Sequence, residues 1–216
     1  NMGYLRAKVT TEEKYKGYKV RVDYKVHPGR RYYVDSISID VKDTTIANEL
    51  SKISAHSLLK AGMPFDANIL NNERSRITDH MTDNGYYAFN RDFIRYEVDT
   101  ARGSEYVDLK MLISHQNNAG PDSARMQRLY RVGDVSFTYD RSTESPIWFR
   151  QSVLNKVNSL IPGNVYSESD LSDTYSRINS LGAVAATNIH MEPNESDSSL
   201  LDANIVITPA RLNTIQ

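Results

Sequence analysis

The sequence carries the same pattern twice, in two stretches 98 residues apart. The first stretch reads GRRYYVDSISID from residue 29, and the second reads MQRLYRVGDVSFTYD from residue 126. The matched residues are Tyr32, Val34, Ile37, Ser38 and Ile39 in the first stretch and Tyr130, Val132, Val135, Ser136 and Phe137 in the second. A repeat at a fixed spacing of this size indicates a duplicated structural unit.

The repeat continues beyond these strands. Residues 62–77 (GMPFDANILNNERSRI) match residues 163–178 (GNVYSESDLSDTYSRI), and Gly85 is matched by Gly182. A third copy is present only as its last part, because Gly3 and Tyr4 stand where Gly85 and Tyr86 stand in the first complete copy. The sequence therefore predicts the C-terminal part of one unit in residues 1–28 and two complete units in residues 29–125 and 126–216.

Each unit has a readable order of strands and helices. Apolar residues alternate with polar ones before and after polar turns, which is typical of β-hairpins with one solvated face. Between the first strand and the hairpin, apolar residues recur at the spacing of three to four that is typical of two amphipathic helices. The sequence predicts an α+β fold of tandem β-α-α-β-β units, each with a three-stranded mixed sheet and two helices on one face.

Helix boundaries are also marked in the sequence. The second helix is predicted to start at Asp66 in one unit and at Ser167 in the other, where Ser167 and Asp170 form a capping-box pattern. Ser145-Pro146 is expected to start the first helix of the second unit. The glycines of the repeat are expected to have structural roles, together with Tyr86: Gly29, Gly62, Gly85, Gly163 and Gly182. At Gly85 a left-handed backbone would end the helix.

Composition and motifs exclude several classes of function. There is no cysteine, so disulfides and thiolate metal sites are excluded. The net charge of −1 argues against nucleic acid as a partner. No run of about 18 apolar residues is present. No phosphate loop, catalytic motif or dinucleotide fingerprint occurs. We therefore expect no enzyme activity, no cofactor and no catalytic or metal-binding residues, although a fold never excludes an undetected site.

Histidine and arginine residues are further candidates for a site. No two histidines have the spacing of metal ligands, and the five are His27, His56, His80, His115 and His190. Arg76 recurs as Arg177 after a serine in the second helix, which fits an anion site or a structural ion pair. The structural interpretation is favoured, with a neighbouring unit as the expected ion-pair partner.

The repeated unit resembles a known family, the polypeptide-transport-associated (POTRA) domain. The resemblance lies in the β-α-α-β-β order, in a first strand that follows Pro28-Gly29, and in a helix that ends at Asn84-Gly85-Tyr86-Tyr87. The second copy departs from this pattern, because Ala183 stands at the aromatic position. The last segment, Thr208-Pro209-Ala210-Arg211, is similar to the stretch that leads into the barrel in the BamA/TamA superfamily.

The resemblance implies a periplasmic region of a Gram-negative outer-membrane protein that acts in assembly or translocation. The implied partners are unfolded outer-membrane proteins, periplasmic accessory proteins or chaperones, and a C-terminal β-barrel of the same chain. The alternative is a POTRA spacer or interaction module of a two-partner secretion transporter or a cell-division protein. The polar segment 115–128 is expected to allow bending between units.

The resemblance also places peptide binding on an edge strand, the one before each hairpin turn. In this chain the edge strands are predicted at residues 91–98 and 187–192. Arg91, Phe93 and Arg95 are expected on one face of the first edge strand. Asn188 and His190 are the candidate binding residues of the second. The charges on the first edge have two interpretations that remain open: selection of a captured peptide, or protection of the edge from aggregation.

Overall fold

We describe the protein from a computed structural model that defines residues 3–100, 105–114, 128–140 and 148–210. The chain divides into two compact units: unit 1 contains Asn1–Ile77 and Asn90–Asn118, and unit 2 contains Thr78–Phe89 and Ala119–Gln216. The predicted boundary at residues 125/126 lies outside the described residues, as does the predicted bend at 115–128 except for its last residue. Within the described ranges, no helix has the length and apolar character needed to cross a membrane.

Unit 1 contains a two-stranded hairpin and a three-stranded sheet with two helices. The elements are β1 (Lys8–Lys16), β2 (Lys19–His27), β3 (Tyr33–Val41), α1 (Thr44–Ile53), α2 (Ala67–Asp83), β4 (Ile94–Asp99) and β5 (Tyr106–Ile113). The last residues of α2, from Thr78 onward, group with unit 2. β1 pairs with β2, and the larger sheet has the order β3-β5-β4, with β3 parallel and β4 antiparallel to β5. The predicted mixed sheet is confirmed.

Unit 2 repeats the same plan. Its elements are β6 (Arg131–Tyr139), α3 (Gln151–Val157), α4 (Glu168–Asn179), β7 (Val184–Pro193) and β8 (Leu200–Pro209). The sheet order is β6-β8-β7, with β6 parallel and β7 antiparallel to β8. The predicted β-α-α-β-β order is therefore confirmed in both complete repeats, as β3-α1-α2-β4-β5 in the first and β6-α3-α4-β7-β8 in the second.

The duplication extends to an irregularity in the first strand of each sheet. The register of β3 against β5 shifts between Val34 and Ile37, and that of β6 against β8 shifts between Val132 and Val135. These are equivalent positions in the two repeats. A bulge at the same place in both sheets indicates that the repeats share a backbone plan as well as a sequence pattern.

Each sheet buries one face beneath its helices and exposes the other. Alternate residues of the central strands are buried: Val107, Leu109, Met111 and Ile113 in β5, and Leu201, Ala203, Ile205 and Ile207 in β8. The helices contribute Leu70 in unit 1 and Leu154 and Ile178 in unit 2 to these cores. Burial of this apolar surface is the main stabilising contribution to each unit. The opposite faces of the sheets do not take part in these cores and are available for other roles.

In unit 1, a buried carboxylate fastens the connection between the two helices. Glu73 in α2 is only 2% exposed and accepts hydrogen bonds from the Leu58 N–H at 3.0 Å and the Ser57 hydroxyl at 2.8 Å. The Arg76 guanidinium donates to both carboxylate oxygens, at 2.8 and 2.7 Å. Burial alone would raise the pKa of Glu73, but these hydrogen bonds together hold it below its ordinary value.

In unit 2, a hydroxyl takes the same place. Thr174 is fully buried, and its Oγ1 accepts the Ser159 N–H at 2.8 Å. The side chain of Asn158 accepts the next N–H, from Leu160, at 3.1 Å. The equivalent backbone groups in unit 1 belong to Leu58 and Leu59, so both repeats satisfy the same two N–H groups with different side chains.

The two repeated arginines form ion pairs within their own helices. Arg76 pairs with Glu73 at 2.7 Å, and Arg177 pairs with Asp173 at 3.1 Å on an exposed surface. The favoured structural interpretation fits these contacts. The expectation of a partner in a neighbouring unit is wrong, because carboxylates three and four residues earlier in the same helices lie within reach.

The structure shows the predicted cap at Ser167 and gives the backbone conformation of the repeat glycines. Ser167 caps α4 and accepts the Asp170 N–H at 3.2 Å. The proposed start at 145–146 lies outside the described residues, and α3 begins at Gln151. Four of the repeat glycines have positive φ, namely Gly29, Gly62, Gly85 and Gly163. Gly182 is not among them. The helix before it, α4, ends at Asn179, and Ser180 has a right-handed conformation.

Candidate functional site: the open sheet edges

Both three-stranded sheets end in strands that have a single neighbour among the described strands. These edge strands are β3 and β4 in unit 1 and β6 and β7 in unit 2. The first residues of β3 and β6 already pair on their outer side with residues 62–64 and 163–165 of the same chain. In an edge strand, about half of the backbone N–H and C=O groups point away from the sheet. Such groups can pair with an extended segment from another protein, a mode of recognition known as β-augmentation.

The edge strand β7 presents polar side chains on the open face of its sheet. Asn188, His190 and Glu192 are exposed there, while Thr187, Ile189 and Met191 face the core. Two of the three exposed residues, Asn188 and His190, are the predicted candidates. Glu192 shares their face and was missed, although the alternation of polar and apolar residues contained the signal.

The predicted strand at residues 91–98 is shorter than expected. Arg91–Phe93 form a turn of 3₁₀-helix, and β4 begins only at Ile94. The Asn90 side chain accepts the Asp92 N–H at 2.9 Å and so caps this turn. Phe93 is 8% exposed and lies in the core. The expectation that Arg91 and Phe93 share a strand face with Arg95 is therefore wrong.

Arg95 does lie on β4, with its side chain exposed on the open sheet face. Its guanidinium donates to the Ser114 hydroxyl at 3.4 Å. Glu97 and Asp99 are exposed on the same face, and Glu97 stands opposite Lys110 of β5. The six residues of β4 therefore carry three charged side chains, which is the composition typical of an edge protected against unwanted pairing.

The two edges before the hairpin turns differ in length and charge. β7 has ten residues against six in β4, and its only carboxylate is that of Glu192. A register shift between Val184 and Ala186 and the proline at position 193 restrict the two ends of β7. The segment between these ends is the longest stretch of lightly charged edge before a hairpin turn in the described chain.

The described residues do not assemble a metal centre. Within these ranges no three histidine or acidic side chains are arranged to hold a metal ion. A shallow depression on the open face of unit 2 is lined by Asp134, His190, Glu192 and Asp202, among others. Asp202 in this depression is held by local hydrogen bonds, from the Asp134 N–H at 2.8 Å and the Asn194 amide at 2.7 Å.

Comparison with known proteins supports the architecture. No protein-family model and no curated protein sequence matches the chain. BamA POTRA3-5 of Haemophilus influenzae is similar in structure, with a TM-score of 0.57 and 16% identity, over 96% of this chain and 74% of that one. BamA of Haemophilus ducreyi lacking POTRA domains 1-3 has a TM-score of 0.62 and 19% identity, over 83% of this chain and 30% of that one. The chain thus has the fold of tandem POTRA domains.

Proposed function

We propose that the chain is the periplasmic POTRA region of an outer-membrane assembly or translocation factor of the Omp85 type. In this proposal it binds extended segments of unfolded outer-membrane proteins by β-augmentation and passes them to a β-barrel in the same protein. The observation that carries the proposal is the β7 edge, which has one neighbour among the described strands and little charge along its length. The tandem POTRA fold supports it, because BamA proteins share that fold.

Backbone pairing suits a protein that handles many clients. It recognises an extended conformation without reading a particular sequence. Each added hydrogen bond contributes about 0.5–1.5 kcal/mol, while ordering each client residue costs about 1–2 kcal/mol. Binding to one edge is therefore weak and reversible, and the client can leave for the barrel. Accessory proteins or chaperones of the periplasm could use the same edges.

The N-terminal hairpin fits a further POTRA unit. All residues of β1 and β2 except Asp23 are exposed, including an apolar row on one face: Val9, Val20, Val22, Tyr24 and Val26. In the two complete units the equivalent face is covered by two helices. We propose that residues 1–28 complete such a unit together with residues that precede them in a longer protein.

Site-specific photo-crosslinking tests the proposed function. A photoreactive residue at position 190, on β7, is compared with one at position 138, on the opposite edge strand β6 of the same sheet. Both side chains are exposed on the open face. An unfolded outer-membrane protein diluted from denaturant is expected to crosslink from position 190 and much less from position 138. Equal crosslinking would contradict the choice of edge, and no crosslinking from either would contradict client binding by this sheet.

The charged edge of β4 favours a second candidate function. Arg95, Glu97 and Asp99 would hinder pairing with most strands, as expected for a spacer or interaction module of a two-partner secretion transporter or a cell-division protein. Crosslinking from position 95 separates the candidates. A folded partner protein captured there, with no capture of unfolded clients from position 190, would favour the second candidate.

A further inference from the structure

The helix-end turn, defined here as Asp83–Tyr87, belongs to unit 2 although it precedes the second repeat by some 40 residues of sequence. It lies in the segment Thr78–Phe89, which groups with residues 119–216. The sequence repeat alone would assign this segment to the previous unit. Three kinds of contact explain why it joins unit 2, and none of them involves the β7 edge.

The first contact is made by the Asp83 carboxylate at the start of α4. One oxygen accepts the Ser169 N–H at 2.8 Å and the Ser167 hydroxyl at 3.1 Å, and the other accepts the Ser169 hydroxyl at 2.7 Å. The first N–H groups of a helix lack partners within the helix, and its N-terminal end carries a partial positive charge. Asp83 therefore supplies a negative charge and a hydrogen-bond acceptor at the N-terminal end of α4.

The second contact is made by Gly85. Its carbonyl oxygen accepts the Tyr130 N–H at 2.8 Å, immediately before β6. Its φ is 91°, and a Cβ at this position would lie 2.9 Å from Val165 Cγ1 and 3.0 Å from Leu129 Cδ1. The positive φ therefore favours glycine, and a methyl group here would also require the Val165 and Leu129 side chains to shift.

The third contact is aromatic. The Tyr87 ring lies edge-to-face with Tyr166 at 5.1 Å between centroids and with Tyr130 at 5.8 Å. Tyr166 is fully buried, and its hydroxyl donates to Glu168 in the first turn of α4. Burial, and then the nearby Glu168 carboxylate, raises the pKa of Tyr87. Pairs of this geometry contribute about 0.5–1.5 kcal/mol beyond the area they bury.

Unit 1 contains the backbone part of the same arrangement. Gly3 has a φ of 90°, and its carbonyl oxygen accepts the N–H of Tyr32, the equivalent of Tyr130, at 2.9 Å. A Cβ on Gly3 would lie 2.8 Å from the Phe65 carbonyl oxygen. Leu5, two residues later, packs against the core of unit 1. A hydrogen bond from the residue before the first strand to the carbonyl of a positive-φ glycine thus occurs in both units, with different side chains around it.

We infer that each complete unit contains a binding site for a turn that is centred on a positive-φ glycine. This site is formed by the residue before the first strand of the sheet and by the segment before the second helix. The site of unit 2 binds a turn that has a carboxylate two residues before the glycine and an aromatic ring two residues after it. The second repeat does not itself supply such a turn, because Ser180 and Val184 stand at these positions around Gly182. The neighbouring Ala183 carbonyl instead accepts the Ala210 N–H at 2.9 Å.

Hydrogen exchange in the full chain tests the glycine. Gly85→Ala is compared with Gly163→Ala, since Gly163 lies in the same unit, has a φ of 85°, and has open space within 4 Å of where a methyl group would lie. Both substitutions strain the backbone, but only the first is opposed by neighbouring atoms. The Tyr130 amide is expected to exchange about tenfold faster in Gly85→Ala than in Gly163→Ala. Equal rates would overturn the inference.

A nicked chain tests the side chains. A protease site placed within 115–127 cuts the chain between the helix-end turn and the rest of unit 2, and association of the two fragments is then measured. Asp83→Ala and Tyr87→Leu are each expected to weaken association about tenfold. Asp79→Ala, an exposed carboxylate one turn earlier in α2, is the control and is expected to have no effect. Fragments that separate in the parent chain, or that tolerate all three changes alike, would overturn the inference. The result does not depend on the proposed function.

Discussion

The two complete repeats satisfy equivalent buried backbone N–H groups with different side chains. In unit 1, Glu73 and Ser57 satisfy the backbone N–H groups of Leu58 and Leu59, and Arg76 neutralises the buried carboxylate. In unit 2, the neutral side chains of Thr174 and Asn158 satisfy the equivalent groups. The requirement is therefore a buried acceptor at a fixed place, and charge is an optional way of meeting it.

This difference has consequences for stability. A buried ion pair is strongly destabilising when one partner is removed, because the other is left uncompensated. A neutral hydroxyl leaves only one unsatisfied N–H when it is lost. The two units should therefore respond differently to acid and to substitutions at equivalent positions, with the largest effect expected at the buried carboxylate of unit 1.

Glu73→Ala is expected to destabilise unit 1 by about 3 kcal/mol, because it leaves Arg76 and the Leu58 N–H without their buried partner. The measurement is hydrogen exchange at the central-strand amides, with Leu109 reporting on unit 1 and Ile205 on unit 2. Exchange is expected to accelerate in unit 1. A loss below about 1 kcal/mol would contradict the role given to the carboxylate.

Thr174→Val is expected to destabilise unit 2 by about 1–2 kcal/mol, since it keeps the shape of the side chain but removes the acceptor of the Ser159 N–H. The same exchange experiment checks it, with Thr174→Ser as the control that retains a hydroxyl. If Thr174→Ser were as damaging as Thr174→Val, packing rather than hydrogen bonding would dominate at this position.

Acid is expected to weaken unit 1 through Glu73. Its folded-state pKa is held below the ordinary value, so its contribution is present above the unfolded pKa of about 4.3 and is lost as the pH falls through the folded pKa. Glu73→Gln should flatten the pH dependence of unit 1 by at most one proton, about 1.4 kcal/mol per pH unit. Urea unfolding between about pH 7 and pH 3 measures it, and an unchanged slope would contradict the assignment.

Asp173→Ala is expected to change the stability of unit 2 by less than about 1 kcal/mol. Its ion pair with Arg177 is exposed, and exposed pairs contribute little after solvent screening. Chemical denaturation of this variant beside Glu73→Ala sharpens the comparison between an exposed and a buried pair. Equal losses in the two variants would show that burial is not what distinguishes them.

The repeat, the β-α-α-β-β order of elements and the helix at Ser167 could be predicted because they depend on local patterns of apolar and capping residues. The turn at Arg91–Phe93 could not, because its alternation resembles a strand and only the Asn90 cap decides otherwise. The role of Glu73 left one faint signal, an acidic residue near the apolar face of α2. The contacts of Asp83 with Ser167 and Ser169 left none, because they join positions more than 80 residues apart.

The candidate peptide-binding residues of the edge strands could also be predicted only in part. Alternation predicted that Asn188 and His190 lie on the open sheet face, since a strand exposes every second side chain. Sequence could not predict which edges are long and lightly charged, because that depends on where pairing begins and on the bulge near Val184. The preference for β7 over β4 therefore depends on the strand bounds of the folded structure as well as on charges that the sequence already contains.

The central claim is that an edge strand captures clients through its backbone. Its most direct test is amide hydrogen exchange across both sheets, with and without an unfolded outer-membrane protein. We expect added protection in β7, between Thr187 and Glu192, with no change in the central strand β8. Binding that protects only the helices, or that leaves the β7 amides unchanged, would contradict the account.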